Sequence, residues 1–214
     1  MAEIARNIFL IVSALFPIVN PLGGSPIFLS LTKEYATCDR RALARRVALN
    51  SFFLIVGSYL VGTHILAFFG VSLPVVQVGG GLVVISTGWH MLQAKDADER
   101  TEVRRDVESR DIFRQAFYPL TLPLTVGPGS ISVAITLGAN APHGARANLM
   151  DVPAAVVGSA LVALSIFLCY GFSDRLARIL GPTAMSVILR LSSFLLVCIG
   201  VQILWNGASA LLAR

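Results

Sequence analysis

Charge is scarce in this chain and unevenly spread. Of 214 residues, 17 are Lys or Arg and 12 are Asp or Glu. Residues 7–32, 47–94, 115–145, 152–173 and 191–213 contain none of the four. A soluble helix needs a polar face, and uninterrupted apolar runs of this length leave no room for one, which excludes a soluble helical core. A helix crosses the hydrocarbon of a bilayer with about 20 apolar residues. Four of the runs therefore hold one span each. The longest holds two, divided at Gly70-Val71-Ser72-Leu73-Pro74. The predicted spans are 8–31, 47–69, 74–93, 115–139, 152–172 and 188–211, which makes the chain an all-α integral membrane protein with six transmembrane helices.

Other absences narrow the function. Cysteine is limited to Cys38, Cys169 and Cys198, which stand singly. No disulfide framework or metal cluster can be read from that spacing, and no metal or cofactor is expected. The chain has no paired aspartates and no H-E-x-x-H, so it is not read as an enzyme. A cleaved signal peptide is also disfavoured, because the first apolar run is too long and its basic flank lies on the far side.

The charges that remain are sorted by side. Lys33, Arg40, Arg41, Arg45 and Arg46 follow span one. Lys95, Arg100, Arg104, Arg105, Arg110 and Arg114 follow span three, and Arg175, Arg178 and Arg190 follow span five. Only Arg6, Arg146 and Arg214 fall on the other side. The positive-inside rule then places both termini in the periplasm, in a multi-pass protein of a bacterial inner (plasma) membrane. The formal net charge of +5 reflects that topology. The expected partner is the lipid bilayer, and no nucleic acid is expected.

The chain also repeats itself. Phe16-Pro17-Ile18-Val19-Asn20-Pro21-Leu22 recurs as Tyr118-Pro119-Leu120-Thr121-Leu122-Pro123-Leu124 at an offset of 102, and Pro26 recurs as Pro128. Val56-Gly57-Ser58 recurs as Val157-Gly158-Ser159, and Phe69-Gly70 as Tyr170-Gly171, at an offset of 101. Leu82 to Leu92 matches Phe194 to Leu204 at an offset of 112, with Gly88 over Gly200. Residues 1–94 and 113–214 are thus two three-helix units joined by a charged linker at 95–112. Because each unit has an odd number of spans, the second must enter the membrane the other way up. The expected architecture is a 3+3 inverted repeat with broken helices 1 and 4, as in many secondary transporters.

The breaks are written in proline and glycine. Asn20-Pro21-Leu22-Gly23-Gly24-Ser25-Pro26 interrupts span one, and Pro123-Leu124-Thr125-Val126-Gly127-Pro128-Gly129-Ser130 interrupts span four. Proline removes a backbone donor and glycine eases departure from helical geometry. The freed backbone groups cannot face lipid, so they must line a polar cavity or pack against protein. The expected binding site uses Asn20, Ser25, Thr121, Thr125 and Ser130 for side-chain polarity, and Gly23, Gly24, Gly127 and Gly129 for exposed backbone. Pro21, Pro26, Pro123 and Pro128 set the breaks. No Asp, Glu, Lys or Arg lies deep in a span, which suits a small neutral or zwitterionic solute. His64, within span two, is the candidate proton carrier.

Asn20-Pro21-x-Gly23-x-x-Pro26-x-Phe28 with Leu31-Thr32, and Pro123-Leu124-x-x-Gly127-Pro128-Gly129-Ser130-Ile131, resemble the two signature segments of the MarC family of inner-membrane proteins. The likeness covers essentially the whole chain in length, span count and motif placement. The family includes small neutral amino acid transporters. The resemblance therefore implies transport of solutes such as glycine, alanine or serine, coupled to sodium or a proton. It also leads one to expect an arginine near Gln77, where this chain has none. The rival readings are an exporter of amino acids or other metabolites with the same fold, and a non-transporting membrane protein.

Overall fold

A computed structural model describes residues 2–93, 115–141 and 145–213, with the side chains of residues 2, 145–150 and 182 left aside. The linker at 95–112 lies outside the described residues. Those described form eight helical elements and no strand. They are α1 (Ala2–Val19), α2 (Pro21–Leu31), α3 (Thr37–Phe68), α4 (Leu73–Gln93), α5 (Ala116–Thr125), α6 (Pro128–Ala139), α7 (Ala145–Gly171) and α8 (Ser173–Leu212).

Four of these supply a helix long and apolar enough to cross a bilayer: α3, α4, α7 over 151–171 and α8 over 183–212. The pairs α1–α2 and α5–α6 are bent by 40° and 70° at short breaks. Counting each bent pair as one crossing gives up to six spans. Four helices start well ahead of their sequence-based boundaries: α1 at Ala2, α7 at Ala145, and α3 and α8 further still. α3 begins ten residues before the expected start at 47, because backbone hydrogen bonding continues through the basic segment irrespective of hydropathy. α8 is one helical tract from Ser173, kinked where Gly181 takes a φ of 70° that an L side chain resists.

Periodicity explains the packing. Leu43, Val47, Ser51, Ile55 and Tyr59 recur every four residues in α3 and are all buried. Ile11, Leu15 and Val19 form the same stripe on α1, and Ile11 sits against Gly158 of α7, where a Cβ would stand 2.8 Å from its Cγ2. α3 meets α6 at Gly62 and Gly138: a Cβ on Gly138 would come within 2.0 Å of the Tyr59 carbonyl oxygen. The side chains turned outward are large and apolar, among them Phe53, Phe68, Ile179, Phe194 and Trp205. A surface of this kind belongs in lipid.

The most extensive helix pair is α4 with the second part of α8. A Cβ on Gly81 would lie 2.6 Å from Leu204 N and 2.8 Å from Gly200 O, and one on Gly88 would lie 2.9 Å from Ser193 O. A Cβ on Gly200 would lie 2.8 Å from Ile85 N, and one on Gly207 2.6 Å from Pro74 O. The order of these contacts makes the pair antiparallel. Backbone touches backbone along the seam, as small residues allow between membrane helices.

Candidate functional site

The first break is a single residue. Asn20 adopts the left-handed conformation (φ 46°, ψ 58°), which asparagine tolerates better than most residues, and its side chain caps the helix that follows. Oδ1 accepts the Gly23 N–H at 3.1 Å. A Cβ on Gly23 would stand 2.3 Å from Nδ2 of Asn20, so the glycine makes room for the capping carboxamide. That Nδ2 is buried and has no hydrogen-bond partner among the described residues. Pro21 occupies the first turn of α2, where its missing N–H costs nothing.

The second break is more extensive. Tyr118 and Leu122 leave helical geometry within α5, and the Tyr118–Pro119 and Leu122–Pro123 bonds are cis. Leu122 is the residue that the 102 offset aligns with Asn20. Pro119 and Pro123 supply no N–H, and threonine hydroxyls bond carbonyls of the same segment. Thr121 Oγ1 donates to Ala116 O and Thr125 Oγ1 to Leu120 O, each at 2.6 Å. With its proton so committed, Thr121 Oγ1 accepts from Asn50 Nδ2 at 3.4 Å. Gly127 is extended and leads through Pro128 into α6.

Tyr170 of α7, wholly buried, brings the two broken segments together. Its ring stacks on Phe28 of α2 at 4.6 Å. Its hydroxyl lies 3.1 Å from Thr125 Oγ1, and since that threonine already donates to Leu120 O, the phenol is the donor. A Cβ on Gly24 would stand 2.5 Å from the same hydroxyl. Ser25 Oγ donates to the neighbouring carbonyl of Cys169 at 3.0 Å.

Gly24, Ser25 and Thr125 therefore converge on one turn of α7, whereas other expected site residues go elsewhere. Gly129 faces α4, where a Cβ would come within 2.0 Å of Val84 Cγ2. Ser130 is buried in the first turn of α6. The expectation that Gly23, Gly24 and Gly129 leave backbone bare meets a different arrangement, since side chains fill the space above all three. His64 is exposed one turn from the end of α3, on the outside of the bundle. Gln77, where an arginine was expected, donates to Thr136 Oγ1 at 3.5 Å.

Sequence reasoning assigned no role to Tyr170, Asn50 or Asp151. Tyr170 carried one signal: it adds a hydroxyl where its repeat mate is Phe69. Asp151, just outside the expected fifth span, is 6% exposed and accepts from Asn7 Nδ2 at 2.6 Å. No His/Cys/Asp/Glu group able to hold a metal occurs among the described residues.

Long apolar helices with large side chains turned outward, two of them interrupted, define a multi-pass integral membrane protein. The chain belongs to the MarC family of integral membrane proteins, whose profile matches residues 5–212. It is 30% identical to the UPF0056 membrane protein YvbG of Bacillus subtilis over 91% of this chain and 90% of that one. It is 30% identical to the UPF0056 inner membrane protein MarC of Citrobacter koseri and 29% to that of Salmonella typhimurium, each over 97% of this chain and 96% of the relative. No solved structure matches the chain. The protein is accordingly a multi-pass protein of the inner membrane.

Proposed function

We propose that the protein is a secondary transporter of small neutral solutes, namely neutral amino acids such as glycine, alanine or serine, with movement coupled to sodium or a proton. The observation that carries this reading is the pair of interrupted spans joined through Tyr170. Broken helices offer backbone ends to a solute in a setting where lipid could not solvate them. Asn20 Nδ2 adds a buried donor without an acceptor among the described residues, which is the group a solute carboxylate would take. Liposomes containing the purified protein should accumulate labelled glycine, alanine or serine under a sodium or proton gradient. Asn20→Ala should weaken half-saturation by about 1–3 kcal/mol, the cost of losing a buried polar partner. No gradient-driven uptake of any of the three would refute the reading.

The proposal includes a 3+3 inverted repeat of residues 1–94 and 113–214, and the packing supports it pair by pair. α1 packs on α7 as α5 packs on α3. α2 packs on α8 as α6 packs on α4, and α3 on α6 as α7 on α2. The contact of Gly88 with Val197 has its mate, at the 112 offset, in the contact of Gly200 with Ile85. Likewise Gly81 against Gly200 pairs with Ser193 against Gly88.

Six spans with the basic connections inside put Arg214 in the periplasm. A C-terminal alkaline phosphatase fusion should be active and a fluorescent-protein fusion dark. The opposite pair of results would overturn the orientation.

A further inference from the structure

Where α2 turns into α3 and α7 into α8, a cavity of about 560 Å³ opens, lined among others by Leu29, Tyr35, Thr37, Arg40, Asp174 and Arg178. Arg40 is 7% exposed. Its Nε and one Nη donate to Thr32 O at 3.2 and 3.0 Å, and that Nη also reaches Tyr35 O at 3.1 Å. The other Nη pairs with the carboxylate of Asp174, in the first turn of α8. Tyr35 in turn donates its phenol to Gln115 Oε1, at the start of α5, at 2.6 Å. One guanidinium thus holds the end of α2 and the start of α8 together, and a phenol extends the tie to α5. The cavity shares α2 with the first break: Leu29, in its lining, follows Phe28, whose ring stacks on Tyr170.

Arg40 is buried in this pair while the Asp174 side chain is 33% exposed, so the guanidinium releases the carboxylate only when another anion takes its place, and the carboxylate stays open to a cation from the cavity. A zwitterion supplies both at once. We propose that this cavity is a docking site for a small zwitterion, whose carboxylate takes Arg40 and whose ammonium takes Asp174, so that its arrival unties α8 from α2 and α3. The inference rests on the transport reading and gives that route its entrance on the basic side. A phosphatidylethanolamine headgroup presents the same two charges, and the experiment must tell the two sources apart.

Ala177 lines the same cavity. A protein carrying Ala177→Cys, with Cys38→Ser, Cys169→Ser and Cys198→Ser, would be placed in phosphatidylcholine vesicles and treated with a maleimide. Alanine should slow the alkylation saturably. Alaninamide, which lacks the carboxylate, and N-acetylalanine, which lacks the ammonium, should not. Asp174→Asn should raise the half-protecting alanine concentration about tenfold or more, the usual worth of a charged hydrogen bond. The analogue comparison leaves the ion pair unaltered and decides the matter even where Asp174→Asn fails to fold. Alkylation indifferent to glycine, alanine and serine, in a protein that transports them, overturns the docking site alone. Alkylation already slow in phosphatidylethanolamine vesicles and indifferent to alanine overturns it too, assigning the cavity to lipid. Protection by alanine in a protein that transports no amino acid upholds the docking site and removes the transport reading.

Discussion

Valine in place of Gly200 should lower the melting temperature of the purified protein by about 10 °C or prevent its folding. A Cβ at that position meets Ile85 N at 2.8 Å and Gly81 O at 2.9 Å, and backbone atoms cannot rotate aside as a side chain can. Overpacking costs about 1–3 kcal/mol where side chains can adjust, and a seam of main chains belongs at the upper end or beyond. In a domain of this size each kcal/mol is worth roughly 2–4 °C. Gly81→Val should behave alike, since its Cβ would lie 2.6 Å from Leu204 N. Gly79, two residues away with nothing within 4 Å, supplies the control and should accept valine with little loss. Equal melting of Gly79→Val and Gly200→Val, measured by heating followed by size-exclusion chromatography, would show that the seam does not hold the bundle.

Leucine at Gly24 should reduce solute uptake to background while leaving protein in the membrane. At Gly24 the obstacle is the Tyr170 hydroxyl, 2.5 Å from a built Cβ, with Tyr170 Cζ farther off at 3.3 Å. That gap permits a stricter test. Gly24→Ala should slow uptake markedly, and adding Tyr170→Phe should restore much of it, because the ring carbon then nearest the methyl, at 3.3 Å, needs to give way by only a few tenths of an ångström. The effects of the two changes should therefore be strongly non-additive, as for residues in direct contact. A Gly24→Leu protein that transports at wild-type rates would sink the site assignment, and additive effects of Gly24→Ala and Tyr170→Phe would sink the pairing with Tyr170.

The helical class and the places where helices break were legible in the sequence for a simple reason. Bilayer solvation acts on every residue of a span, so the absence of charge records it directly, and proline with glycine records the interruptions. Helix ends were less legible. α3 and α8 extend into charged segments where hydropathy no longer distinguishes helix from loop. The two breaks also differ more than their matching prolines suggest. Asn20 supplies its own cap, whereas its mate Leu122 cannot, and Pro119 adds a second interruption to α5. What brings the segments together, Tyr170 and the carbonyl of Cys169, comes from a helix more than forty residues farther along the chain than either break. No local pattern announces such a contact. Arg40 looked like one more basic residue in a solvated connection. Its burial depends on where Asp174 and the end of α2 arrive, which is a property of the assembled bundle.

The glycine seam also bears on the order in which the chain is made. Gly81 and Gly88 enter the membrane with α4, but the main chain they receive, residues 193–207, is synthesised about a hundred residues later. In the interval the small-residue face of α4 borders lipid, where any other helix with a comparable face can dock. The arrival of α8 covers that face and removes this opportunity for mispairing. Until α8 is inserted, the growing protein has a groove without its partner. A ribosome stalled after α7 would leave a chain open to association with other nascent membrane proteins.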